Sequence, residues 1–197
     1  DCASRIASVA TTTGSAYLSA DETYNGTKTI NTLTLAGNGT SVTVSGTGTL
    51  SLVSLMVNGD AFISKDFTPS VLGGVYVNGS LSTTGTLAQG FKKLGTGTLT
   101  IAGGAVNLPA GAMNIYEGTV VFGKADATTG TTGTINVAGG TLQVDYADSI
   151  GTLTLSRGAV TGAAQLTLTT AAASLYDGTI SAPLGGTYGI TKADNGL

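Results

Sequence analysis

The feature that most constrains this chain is an alternation of hydroxyl and aliphatic side chains, broken at short intervals by glycine. Thr29-Ile30-Asn31-Thr32-Leu33-Thr34-Leu35, Ser41-Val42-Thr43-Val44-Ser45, Thr49-Leu50-Ser51-Leu52 and Thr98-Leu99-Thr100-Ile101 all show it. So do Thr134-Ile135-Asn136-Val137, Thr141-Leu142-Gln143-Val144, Thr152-Leu153-Thr154-Leu155 and Gln165-Leu166-Thr167-Leu168-Thr169. A period of two sends Leu, Ile and Val to one face of a strand and Thr to the other. Thr is β-branched and suits a strand wetted on one side. Between the runs lie Asn-Gly pairs at 25–26, 38–39, 58–59, 78–79 and 195–196, and Gly-Gly pairs at 73–74, 103–104, 139–140 and 185–186. These residues supply the backbone conformations that sharp corners need. The strongest helix candidate is residues 1–9; the rest reads as all-β.

A longer period selects the architecture. The triplet Gly-Thr-(Leu/Ile/Val) recurs at Gly48, Gly85, Gly97, Gly118, Gly140, Gly151 and Gly178. Thr98 to Thr119 is 21 residues, Thr119 to Thr141 is 22, and Thr141 to Thr179 is 38, near twice 19. Short strands at a loose period of about twenty residues predict a right-handed parallel β-solenoid, or β-helix, with Gly and Asn corners. An antiparallel β-sandwich, whose strands recur every ~8–12 residues without a longer period, is the runner-up. At ~21 residues per coil and ~4.8 Å between coils, the chain makes about nine coils and about 45 Å of length. The inward set is then Leu33, Leu35, Val42, Val44, Leu99, Ile101, Ile135, Val137, Leu142, Val144, Leu153 and Leu155. Residues 1–28 read as an N-terminal cap or linker, and 29–197 as the solenoid, continuing or pairing beyond 197.

Composition removes several functions. There is no His, which excludes a Ser-His-Asp triad, a Cys-His dyad and imidazole metal ligation. Charged residues are 10% of the chain, against roughly 25% in an ordinary domain. Eight Lys and Arg, scattered through a chain of net charge −3, make no basic face for nucleic acid. Apolar runs such as Val120-Val121-Phe122 fall far short of the ~20 residues of a membrane span. No stretch joins a basic start to an apolar run, as a leader would. At 41% hydrophobic residues and a mean hydropathy of +0.30, the chain is the opposite of a disordered one. Cys2 has no intrachain partner, which leaves it inert, in an interchain bridge or as a lipid attachment site.

One stretch resembles a known repeat. Lys93-Leu94-Gly95-Thr96-Gly97-Thr98-Leu99-Thr100-Ile101-Ala102-Gly103 is similar to the opening Lys-x-Gly-x-Gly-Thr-Leu-Thr-Leu-Ser-Gly of the autotransporter-associated β-strand repeat. That repeat occurs in passenger regions of bacterial surface and secreted proteins. Residues 113–123 stand where the family closes its unit with a Gly-Thr-Leu strand, and residues 190–197 read like the opening of a further unit. Val106-Asn107-Leu108-Pro109-Ala110-Gly111 departs from the family's Asn-x-Tyr-x-Gly corner. The resemblance implies a β-helical passenger at the cell exterior, structural or adhesive in role, and brings no catalytic residues with it.

Candidate sites are few. Asp145, Asp148 and Arg157, with Tyr146 between the acids, form the best charged cluster. Two carboxylates near a guanidinium suit acid–base or sugar-binding work, but the plainer expectation is solvated loop charges. Structural calcium is a minor expectation. Asp60, Asp66, Asp126, Asp145, Asp148, Asp177 and Asp194 lie near turns, yet none of the calcium-loop motifs is present. No other cofactor is implied. Asn25, Asn38 and Asn78 each open an Asn-Gly-(Thr/Ser) triplet, a glycosylation pattern that here reads as a turn. The seven Tyr residues are expected to wedge corners, with an adhesive or glycan-stacking stripe as the sharper alternative. An assembly edge is expected at Ile190, Gly196 and Leu197, where an uncovered coil would meet more chain or a second copy.

Three functional readings follow. The first is a non-catalytic structural or adhesive segment of an exported bacterial surface protein, its glycan or host-surface ligand unidentified. The second is a self-assembling subunit of an extracellular filament or phage fibre. A polysaccharide-active β-helix enzyme is a distant third.

Overall fold

The structure is a computed structural model that describes residues 8–10, 14–70, 73–129 and 132–193. It is a parallel β-solenoid of about nine turns. All its strand pairs run parallel, and no α-helix occurs among the described residues. The helix candidate at 1–9 lies almost wholly outside them.

Each coil contributes a rung to three ladders. The first holds Ser15–Leu18, 32–35, 54–57, Val75–Val77, Lys92–Leu94, Met113–Ile115, 134–138, 152–157, Ala173–Leu175 and Ile190–Lys192. The second runs from Glu22–Thr23 and Val42–Ser45 through Asp60–Ile63, Ser80–Thr83, Thr98–Ile101 and Thr119–Phe122 to 141–144, 159–161 and Thr179–Ile180. The third is shorter and interrupted. Its rungs are 28–30, 49–52 and Asp66–Pro69, single bridges at Leu87, then Val106–Asn107, Thr128–Thr129, Asp148–Ile150, Leu166–Leu168 and Leu184–Gly185. The ladders therefore begin ahead of residue 29. Partners are 17 residues apart at Ser15 and Thr32 and 22 apart at Asn114 and Asn136, so the coil length varies around the expected 21.

Inside, the alternation does what it predicts. All twelve inward residues named from the sequence are buried in one continuous core. One column runs Ala16, Leu33, Leu55, Val75, Lys93, Ile115, Val137, Leu155 and Leu175, each directly above the last. It is apolar apart from Lys93.

Four of the seven Gly-Thr-(Leu/Ile/Val) triplets, at Gly97, Gly118, Gly140 and Gly178, mark the corner between the first and second ladders. Gly59, Gly79, Gly97, Gly118, Gly140, Gly158 and Gly178 stack there in successive coils. A Cβ on Gly118 would lie 2.3 Å from the Gly97 oxygen, and one on Gly158 would lie 2.1 Å from the Gly140 oxygen. The backbone amides of Thr98, Thr119 and Thr141 donate to the carbonyls of Gly79, Gly97 and Gly118 in the coil before (2.9, 3.1 and 2.8 Å). Glycine is needed because neighbouring turns of backbone touch at this corner. Thr then starts the next strand with its hydroxyl outward, and the aliphatic residue after it points in.

Candidate functional site

The acid cluster expected from the sequence does not assemble. Asp145 is exposed in the turn after 141–144, and its carboxylate accepts from the Gln143 amide at 2.9 and 3.1 Å. Asp148 was expected beside it on a solvated loop, and the structure corrects this. Asp148 opens a third-ladder rung, is 4% exposed, and accepts from the Thr128 amide (3.0 Å), the Thr128 hydroxyl (2.9 Å) and its neighbour Ser149 N–H (2.7 Å). Burial pushes its carboxyl above the usual carboxylate range, while these hydrogen bonds pull the other way. Arg157 is exposed on the first ladder, in register with Ala138. No ion pair joins it to either acid among the described residues. The three residues serve different faces of the solenoid and make no common site.

Two charged groups that the sequence reading passed over are buried lysines. Lys93 is fully buried in the first-ladder core column. The neighbouring column Leu18, Leu35, Val57, Val77 reaches Gly95 in its coil, which has no side chain, and the Lys93 ammonium uses that space. It donates to the carbonyls of Leu94 (2.9 Å), Gly95 (2.7 Å) and Glu117 (3.2 Å). Loss of water around the ammonium lowers its pKa to about 8, and Glu117 opposes that shift. Lys65 is likewise fully buried, and donates to the Tyr24 carbonyl (3.0 Å) and the Thr47 carbonyl, with the ammonium 5.2 Å from the Tyr24 ring centre. Burial lowers its pKa too. A signal for Lys93 was present: alternation through Phe91-Lys92-Lys93 puts Phe91 and Lys93 on one side. No buried side-chain nitrogen or oxygen among the described residues lacks a partner. These cations hold corners together and present nothing to a ligand.

The outer face of the first ladder is different. Tyr17, Thr34, Met56, Tyr76 and Leu94 lie in one outward column, each in register with the next. Tyr116 continues it, its amide donating to the Lys93 carbonyl (3.0 Å), and Tyr176 rejoins it, its amide donating to Leu155 (2.9 Å). Tyr76, Tyr116 and Tyr176 are 40 to 46% exposed. Two residues earlier on each rung runs a polar column: Thr32 and Ser54, then Lys92, Asn114, Asn136, Thr154, Ser174 and Thr191. Its members bond along the axis, Thr32 with Ser54 at 3.1 Å and Asn136 to Asn114 at 2.9 Å. Four of the seven tyrosines thus share a column along the first ladder instead of wedging separate corners. Tyr24, at a corner against the core, fits the plainer expectation.

At the assembly edge, Ile190 is in register with Ala173 in an inner column but is 55% exposed, because no described rung lies beyond it. Gly196 and Leu197 lie outside the described residues, as do Cys2 and Asp194. Among the described residues no group of three or more Asp, Glu or Cys side chains is placed to hold a metal ion. No helix there is long and apolar enough to cross a membrane. No family model, curated protein or solved structure matches the chain. The likeness of residues 93–103 to the autotransporter-associated repeat therefore stands on the motif alone, within a fold of the kind it implies.

Proposed function

We propose that this chain is a rigid, non-catalytic β-helical segment of an exported bacterial surface protein, which holds other parts of that protein at a set distance. One observation carries the reading: a single inner column, apolar at every rung but Lys93, passes through the coils from Ala16 to Leu175. Such a rod resists bending, because a bend would open packed core and ladder hydrogen bonds together. The absence of His and the dispersal of Asp145, Asp148 and Arg157 support the non-catalytic part. The motif at residues 93–103 supports export.

Spin labels on cysteines at positions 15 and 191, in a Cys2→Ser background, sit nine rungs apart. The expected result is a narrow distance distribution at about 43 Å, from nine spacings of ~4.8 Å. A broad or two-peaked distribution would overturn the rod. Antibody binding to the segment on intact source cells tests export, and signal only after lysis counts against it.

A second reading is a subunit stacking end to end in a filament or fibre, since a parallel ladder can add rungs from another copy. Light scattering separates the two, since the filament reading requires concentration-dependent growth.

A further inference from the structure

We propose that the outer face of the first ladder is a binding surface for a linear, uncharged polysaccharide lying along the solenoid axis. The proposal does not depend on the spacer role.

The argument starts from the two columns. One presents Met56, Tyr76, Leu94 and Tyr116 in four successive coils, Met56 at 37% exposure and the two tyrosines at 40 and 41%. Beside these four the other column presents Ser54, Gly74, Lys92 and Asn114, and it runs on as a row of neutral donors and acceptors through Asn136, Thr154 and Ser174. The columns are two residues apart along each strand, about 7 Å. Neither contains a carboxylate. A pyranose ring has the matching division: its C–H faces stack on an aromatic ring, and its equatorial hydroxyls reach sideways to amides and hydroxyls.

The axial spacing suits a polymer. Tyr76 and Tyr116 are two coils apart, about 10 Å at ~4.8 Å per coil. That is comparable to a disaccharide unit, the interval at which an extended β-linked chain presents the same ring face again. Leu94 fills the coil between them, so the stacking surface is continuous. Tyr176 lies three coils beyond Tyr116, past Ala138 and the rung at 156–157.

Other occupants fit less well. A stable protein interface buries about 800 Å² on each partner around a broad apolar centre, whereas this stripe is one side chain wide and bordered at once by Asn, Thr and Ser. Nucleic acid or an acidic glycan would need a row of cations, and the face offers only Lys92 and Arg157.

The test uses the full chain and a panel of neutral hexasaccharides: cellohexaose, mannohexaose, xylohexaose, chitohexaose and laminarihexaose. Polygalacturonate serves as the acidic arm. Calorimetry is expected to show at least one neutral hexasaccharide binding with a dissociation constant below a few millimolar. Y76A with Y116A should weaken that binding at least tenfold, while Y76F with Y116F stays within about threefold, because stacking and not the hydroxyl carries it. Y146A, on an exposed tyrosine away from the column, should leave it unchanged. Circular dichroism confirms that the exposed replacements fold. The proposal is overturned if no neutral hexasaccharide binds, or if binding survives the double alanine variant. It is overturned equally if only polygalacturonate binds, in a salt-sensitive way, or if the double variant chiefly changes the oligomeric state.

Discussion

The corner between the first and second ladders and the third side of the solenoid solve the same problem in opposite ways. Both must return the chain in register with the coil before. At the corner, seven stacked glycines let backbone touch backbone, and the column that runs Leu55, Val75, Lys93, Ile115, Val137 is five or six residues from the matching second-ladder column in each coil. On the third side the spacing is free: Ile180 is four residues before Leu184, and Val120 is eight before Thr128. Pairing lapses there between Thr128–Thr129 and Asp148–Ile150, which belong to separate small sheets. The Asp148 carboxylate takes the Thr128 amide in place of a backbone carbonyl. Stacked glycines hold this corner at five or six residues from Leu55 to Val137, whereas on the third side close backbone contacts such as Gly104 against Gly85 alternate with side-chain staples and the spacing varies.

The largest test of this contrast is a methyl group on the glycine stack. Gly118 has φ +64 and its Cβ would meet Gly97 oxygen at 2.3 Å and the Lys93 ammonium at 2.8 Å. Gly118→Ala should cost about 2–5 kcal/mol, from left-handed backbone strain together with overpacking. Gly189→Ala, in the turn before Ile190 where a Cβ would have open space, should stay within about 0.5 kcal/mol. Urea midpoints with unchanged slopes give both numbers. Equal losses at the two positions would break the comparison.

The same division explains what the sequence showed in advance. Where Thr and Leu alternate beside Gly-Thr, as at Thr98–Ile101 and 141–144, strand, inward face and stacking period were all legible, because each follows from local periodicity. Asp148 was not. Its neighbours Tyr146 and Ala147 and the turn before it look like any solvated loop, and its partner Thr128 is 20 residues away across a break in pairing. Nor was the tyrosine column legible: Tyr17, Tyr76, Tyr116 and Tyr176 fall at unequal intervals in the sequence. They align because the rungs keep register while the connections between ladders change length from coil to coil.

Asp148→Ala probes the lapse directly. It removes the acceptor for the buried Thr128 amide, with an expected loss of about 1–3 kcal/mol. Asp148→Asn keeps an acceptor and should lose less. It also changes the pH response with a defined sign. Because the folded carboxyl titrates above its ordinary 3.8, the folded chain holds that proton more tightly, and stability falls as pH rises from 3.8 through the folded value. The Asn variant should lack that fall. An acid limb identical to the parent's would show that Asp148 is not buried as described.

Lys93 acts at the glycine corner and on the alkaline side. Its folded pKa, about 8, lies below the ordinary 10.5, so the unfolded chain binds more protons between those values. The Lys93 contribution therefore makes stability rise with pH from about 8 to 10.5 and then level off. Lys93→Met should remove this rise relative to the parent while keeping the core column filled, and thermal melts of both proteins from pH 7 to 10.5 measure it. A rise that persists in the variant would assign it to Lys65, whose pKa is lowered for the same reason.

The smallest effect belongs to Asp145, three residues from Asp148 and set apart from it by exposure. Its carboxylate meets only the flexible Gln143 amide in solvent, at 2.9 and 3.1 Å. A hydrogen bond of this kind is exchanged for water at little net cost. Asp145→Asn should therefore shift stability by less than about 0.5 kcal/mol. Paired with Asp148→Ala in a double-mutant cycle, its effect should add to within about 0.5 kcal/mol, as it does for residues that share no partner. Strong coupling would mean that the two carboxylates sense each other after all, and the idea of a joint acid site would return. Additivity would leave Asp145 as surface charge and Asp148 as a staple of the third side.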